Sequence, residues 1–333
     1  LYNVIFWKST VTTYGPLWNI IADLLVRLSG TGVKANIVSF KSLLFLFHLA
    51  SGYFVYLLAD SENKRGSFRI TFLFLLNPYI VVMNLMENHN DIVMVAFFIL
   101  SLYLLKKEKY LLSTMLLTLS AGTKYLTAIF FPLFIIYAVK KTDHVGKKVS
   151  FLVKAAAANS VLAALMWSPF GMGPSSVMNA IQDIKTRLDT NSIPYLTYSI
   201  FNRLFSELSV TDFRKISDIV FLVLIFSSYA MFIFFRNNSI KTLVNMCVVI
   251  LIGYFSLVSF QFGSWYILWL SPLIIFSGLP KKNMFFVLLT FAALISFWKR
   301  ISFLLIAVSL IYAISFLLDT RKHLKEKPGF LSR

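Results

Sequence analysis

Between Lys109 and Lys140 the chain reads YLLSTMLLTLSAGTKYLTAIFFPLFIIYAV, residues 110–139. Its one charged side chain is Lys124, and both flanks are basic: Lys106, Lys107 and Lys109 before it, Lys140 and Lys141 after it. A membrane-spanning helix needs about 20 apolar residues. Basic clusters at the ends of such runs mark the cytoplasmic side. With both flanks on one side, the run must cross an even number of times. It therefore predicts two short helices that turn near Gly122-Thr-Lys124, the tip reaching the outer half of the membrane. One long tilted helix would put a basic flank outside.

The same pattern recurs along the chain. Apolar runs lie at 38–59, 70–86, 91–105, 110–123, 125–139, 149–169, 216–235, 242–260, 264–280, 283–298 and 301–318. Each is too long and too uniformly apolar for a barrel strand, so only helices fit. The reading is an all-α polytopic integral membrane protein with about eleven transmembrane or half-membrane helices, plus outer amphipathic helices. It forms a single transmembrane domain over 1–333, with no internal repeat.

Composition agrees. Of 333 residues, 58% are hydrophobic and 14% charged, and mean hydropathy is +0.76. Soluble domains carry about 25% charge. The net charge of +18 sits in short clusters between apolar runs, such as Lys64-Arg65, Lys147-Lys148, Lys281-Lys282 and Arg321-Lys322. That is the pattern of cytoplasmic loops, and it speaks against a nucleic-acid partner. Cys247 is the only cysteine, so no internal disulfide can form. There is no HExxH pair, cysteine cluster or phosphate-cradling glycine loop, which argues against zinc-hydrolase and nucleotide-fold readings.

The topology assigns residues 1–37, 87–90, 170–215 and 261–263 to the outer side. In 16–30, Leu17, Ile20, Ile21, Leu24, Leu25 and Leu28 recur at helical spacing opposite Asp23 and Arg27. This predicts an amphipathic helix lying along the surface. The 170–215 stretch predicts helical pieces over the same face.

Polar groups near a membrane core are expensive, so they are functional candidates. Glu87-Asn-His-Asn-Asp91 is the densest group, at the outer junction of two spans. It can hold sugar hydroxyls, ligate a divalent ion, or take a proton from an attacking hydroxyl. The plainer reading is a polar turn with Asn90 or Asp91 as a helix cap. Lys124 could pair with a phosphate or simply snorkel to the interface. Trp265-Tyr266 begins an aromatic stretch after Gln261, suited to sugar or prenyl stacking or to an aromatic belt. Tyr14 precedes Pro16 where the amphipathic helix starts. His48 and Lys154 read as packing or interface residues.

These pieces occur together, in order: Tyr14-Gly-Pro-Leu17, Asn77-Pro78, His89-Asn-Asp91, Gly122-Thr-Lys124 with Pro132, and Trp265-Tyr-Ile-Leu-Trp-Leu-Ser-Pro272. From about Tyr14 to Pro272 the chain resembles the membrane-embedded glycosyltransferases of the C superfamily. Within them it is most similar to the polyprenol-phosphate-mannose-dependent mannosyltransferases of actinobacteria and archaea. The resemblance implies transfer of a sugar, mannose above all, from a polyprenyl-phosphate donor to a glycolipid or glycan acceptor. It places the enzyme in a prokaryotic plasma membrane with its active site on the outer face. It assigns Asp91, His89 and Glu87 to the catalytic site and Asn90, Lys124, Tyr14, Gln261, Trp265 and Tyr266 to substrate binding. No cofactor is firmly implied, and a divalent metal on Asp91, Glu87 and His89 is an open alternative. The family's base is an Asp in the first outer loop, yet no acidic residue precedes Asp23. The expectation is that this base, with the first helix and loop, lies upstream of Leu1. A transporter or flippase of lipid-linked glycans is the first alternative, and a non-catalytic scaffold the second.

Overall fold

The structure is a computed structural model that describes residues 12–59, 64–170, 192–204, 208–235, 239–260, 263–277, 287–290 and 292. These residues form α-helices joined by short 3₁₀ and π turns, with no strand among them. The helices are α1 Pro16–Ser29, α2 Val33–Ala59, α3 Lys64–Leu75, α4 Pro78–Val81, α5 Asp91–Lys106 and α6 Tyr110–Thr123. They continue as α7 Phe131–Lys141, α8 Val145–Trp167, α9 Ile193–Leu204, α10 Val210–Phe234, α11 Ile240–Gly253 and α12 Ile267–Phe276.

Among the described residues, four helical stretches are long and apolar enough to cross a membrane: Val33–Ala59, Val145–Phe170, Val210–Phe234 and Ile240–Val258. Lys64–Leu75 and Pro78–Met86 together make a fifth, bent by 48°. The bend has a local cause. A residue before proline is driven out of the α region, so α3 cannot run through Asn77-Pro78. Asn77 then caps α4, its Oδ1 accepting from Tyr79 N at 3.0 Å. The chain is thus an all-α polytopic membrane protein. The expected runs at 283–298 and 301–318 fall almost wholly outside the described residues.

The centre of the bundle is made of short helices. All ten residues of α12 are buried, and so are eleven of the sixteen of α5. At 1.5 Å per residue, the 16 residues of α5 cover about 24 Å, less than a hydrocarbon core of about 30 Å. Lys106 at one end of α5 reaches the Leu58 carbonyl (2.9 Å) at the end of α2, so the shortfall is at the Asp91 end.

The 110–139 run folds as two antiparallel pieces. α6 rises beside α5 until Lys124 meets Asp91. A 3₁₀ turn, Tyr125–Phe130, then hands the chain to α7. At the far end of α7, Lys140 donates to the Phe232 and Phe235 carbonyls at the close of α10. Lys124 is therefore at the tip, as the basic flanks require.

The amphipathic helix is present at Pro16–Ser29, and its leucines at 24 and 28 are left uncovered by the rest of the protein. Pro16 and Trp18 are buried, while Leu24 and Leu28 are exposed. Only its first half packs closely, with Trp18 edge-on to Phe40 (6.1 Å) and Gly15 against α6.

Candidate active site

Asp91 opens α5, where the unpaired N–H groups of a helix start favour negative charge. It is fully buried. Its Oδ1 accepts from Lys124 Nζ at 2.6 Å and from the Trp269 indole N–H. Lys124 sits at the end of α6 because Gly122-Thr-Lys leaves helical geometry there, with Lys124 extended at φ −143°, ψ 125°. Its ammonium also lies 5.6 Å from the Tyr14 ring, 5.6 Å from Tyr266 and 5.2 Å from Trp269. A cation desolvated among ring faces is held by the rings as well as by its counter-ion.

The loop before α5 is shaped by two devices. A π turn at Val82–Met86 widens the end of the preceding helix, and Lys41 donates to its Leu85 carbonyl at 2.6 Å. Asn88 then takes a left-handed conformation (φ 62°), which asparagine tolerates better than most residues. His89 is turned to stack on Trp265, ring centroids 4.3 Å apart and 17° from parallel. Burial lowers the His89 pKa, opposed in part by the charge of Asp91, so the ring is neutral near pH 7.

The plain capping account of this group does not describe it. Asn90 stands at the cap position of α5 but makes no capping hydrogen bond. Among the described residues its Nδ2 is buried without a partner, and so are Asp91 Oδ2 and Asn88 Oδ1. Such groups are costly, at about 1–3 kcal/mol each, and in native proteins they call for a ligand or another partner.

The structure thus brings Asp91, Lys124, Tyr14 and Tyr266 together, with His89 and Trp265 stacked beside them and Asn90 next in chain. Glu87 is exposed and makes no ion pair among the described residues. Gln261 lies outside the described residues. No three His, Cys, Asp or Glu side chains among the described residues come together as a metal site. The positive charge that the structure places at Asp91 is Lys124.

Sequence reasoning missed Trp269 as a site residue. The signal was its i, i+3 spacing from Tyr266, which stacks the two rings at 4.4 Å and carries the indole N–H to Asp91. Trp269→Phe keeps the ring and removes the N–H. Hydrogen bonds to charged groups contribute about 1.5–3 kcal/mol, so a loss of that order is expected in thermal unfolding of the purified protein. An unshifted midpoint would dismiss that bond.

A second buried polar pair lies deeper. His48 Nε2 donates to the Leu75 carbonyl at 3.0 Å, which leaves Nδ1 to accept from Asn84 Nδ2 at 3.3 Å. With a stacked Phe74 this makes His48 a neutral packing residue where α3 breaks.

Residues 3–140 match the family described as alpha-(1->6)-mannopyranosyltransferase, N-terminal domain. That stretch holds Tyr14, Glu87, His89, Asn90, Asp91 and Lys124, but not the aromatic group at 265–269. The chain is also similar to alpha-(1->6)-mannopyranosyltransferase A of Corynebacterium glutamicum, with 24% identity over 126 residues. The alignment covers 38% of this chain and 26% of that protein, so the chain spans about a quarter of the relative's length. Both matches support the resemblance read from the motifs, a membrane mannosyltransferase of the C-superfamily type, and the N-terminal part of this chain is similar to the N-terminal domain of such enzymes.

Proposed function

We propose that this chain transfers a mannosyl unit from a polyprenyl-phosphate donor to a hydroxyl of a glycan or lipid-linked acceptor. The reaction takes place on the non-cytoplasmic face of a prokaryotic plasma membrane. One observation carries the reading. In a fully buried carboxylate, one oxygen is held by Lys124 and Trp269, and the other, like the neighbouring Asn90 amide nitrogen, has no partner among the described residues. A sugar hydroxyl complements both, since it donates to Asp91 Oδ2 and accepts from Asn90 Nδ2.

The chemistry follows from the charges. The acceptor oxygen attacks the anomeric carbon, and the bond from that carbon to the phosphate oxygen breaks. The electron pair leaves with the phosphate, whose growing charge Lys124 is placed to stabilise. The acceptor proton passes to a carboxylate base, and Asp91 orients the sugar hydroxyls. The stacked His89 and Trp265 offer a flat surface for a sugar ring, and Tyr14 shapes the mouth. The lipid part of the donor has a course as well. An open groove of about 520 Å³ between α7 and α8 is lined by Phe131, Ile135, Ala155 and Ala163. Two of its polar members, Thr118 and Asn159, bond each other, and Asn159 also donates to Thr114 behind them (3.1 Å). Thr118 is on the helix that ends at Lys124, about 9 Å away along the axis.

Membranes carrying the full-length protein test this with radiolabelled polyprenyl-phosphate-mannose and endogenous acceptor. Lys124→Ala should raise the donor KM and lower kcat, with a combined loss of about 100-fold. Asn90→Ala should lose about tenfold. Absence of transfer from the wild type, with mannose and glucose donors both tried, would reject the reading. Flux assays in liposomes would then test transport.

A further inference from the structure

At the end of the bundle opposite Lys124, the α5–α6 turn and the start of α8 enclose an open groove of about 590 Å³. Lys109, Lys147 and Lys154 line it, with Glu108 as its one acidic member. Its floor is apolar: Tyr110 of α6 stands edge-on to Phe151 of α8, centroids 6.0 Å apart. None of the three lysine side chains has a hydrogen bond or ion pair among the described residues. Tyr110 and Thr123 end one helix of 14 residues, which puts this groove about 20 Å from the Asp91–Lys124 site.

Lys154 is the unusual member. It lies well inside α8, one of the helices apolar enough to cross a membrane, yet it is exposed and points to the same side as Lys147, two turns earlier. Beyond it on that side come Val161 and Leu165, 59% and 63% exposed, at helical spacing. Only Ala155 and Met166 of α8 are buried, so this face looks outward into the bilayer. Cations at the mouth, aromatic rings beneath and an apolar strip above match the head and tail of one amphiphile.

We infer that this groove binds an anionic phospholipid from the bilayer. Its phosphodiester headgroup lies among Lys109, Lys147 and Lys154, and an acyl chain follows Val161 and Leu165. Basic pockets between membrane helices select such headgroups because the lysines are desolvated together and attract net negative charge. A zwitterionic headgroup brings a compensating cation and gains little. Bound lipid would bridge α6 and α8 at the end where Tyr110 meets Phe151.

The test uses the purified full-length protein and two lipids with identical chains, phosphatidylglycerol and phosphatidylcholine. Lipid retention is read by native mass spectrometry and stability by thermal unfolding. The wild type should retain phosphatidylglycerol about tenfold more tightly and gain several degrees from it. Lys109→Ser/Lys147→Ser/Lys154→Ser should erase the preference. Lys64→Ser/Arg65→Ser/Lys141→Ser removes the same charge elsewhere and should keep it. Lys154→Ser alone, the mildest change, should already halve the preference or more. Equal retention of both lipids by the wild type would overturn the inference. So would equal loss in both triple variants, which would mean that net charge alone attracts the lipid.

Discussion

Asp91→Asn and Lys124→Met should each destabilise the protein by about 3–5 kcal/mol, while the double substitution should recover most of that loss. The pair is 0% and 14% exposed. Removing one partner of a buried ion pair strands the other charge in low dielectric, but removing both leaves nothing to desolvate. Thermal unfolding of the purified protein reads the stability. Transfer in membranes should follow a different pattern, falling at least about 100-fold in both single variants and in the double. This divergence separates a structural pair from a functional one. If the double variant regained transfer along with stability, Asp91 and Lys124 would be packing residues and the proposed site would lose its centre.

The second large effect is expected at an uncharged residue beside the ion pair. Gly15→Ala should destabilise the protein by about 1–3 kcal/mol or more and abolish most transfer. The Gly15 N–H donates to the Thr123 carbonyl at 2.9 Å, which draws the two backbones together. A Cβ on Gly15 would stand 2.2 Å from the Gly122 carbonyl oxygen, and backbone cannot yield as a side chain can. The clash would push Tyr14 away from Lys124 and Lys124 away from Asp91. Gly122→Ala makes the informative comparison. There the added Cβ meets Met166 Sδ at 2.6 Å, the far end of a flexible side chain, so its loss should be the smaller. Equal tolerance of both substitutions in unfolding and transfer assays would show that the contact does not position the site.

Much of the architecture could be read from the residues alone. Apolar runs bounded by lysine pairs specify membrane helices, because lipid leaves the backbone no other way to satisfy its hydrogen bonds. The even crossing of 110–139 followed from Lys109 and Lys140 standing on one side, and it put Lys124 at a tip. The cluster at 87–91 stood out because five polar residues beside two apolar runs are costly unless they have a task. The face of α1 was less legible. Periodicity describes a whole helix, but which of its residues meet the protein is set by contacts such as Trp18 on Phe40 and Ser29 on Ser39.

The sequence by itself determined the solvent this chain needs, its helical class, and the two short stretches, 87–91 and 122–124, where charge enters the apolar interior. These are local properties, set by composition and by the nearest basic flanks. Only the tertiary structure decided that Asp91 and Lys124, 33 residues apart, form an ion pair, and that Trp269, 178 residues from Asp91, donates to the same oxygen. It also decided which oxygen stays open and that Lys154 joins a groove. The physical reason is range. Hydropathy acts residue by residue, whereas partner choice among buried polar groups depends on which helix ends stop short and meet. That meeting is set by backbone contacts such as Gly15 on Gly122, which leave no periodic trace in the sequence.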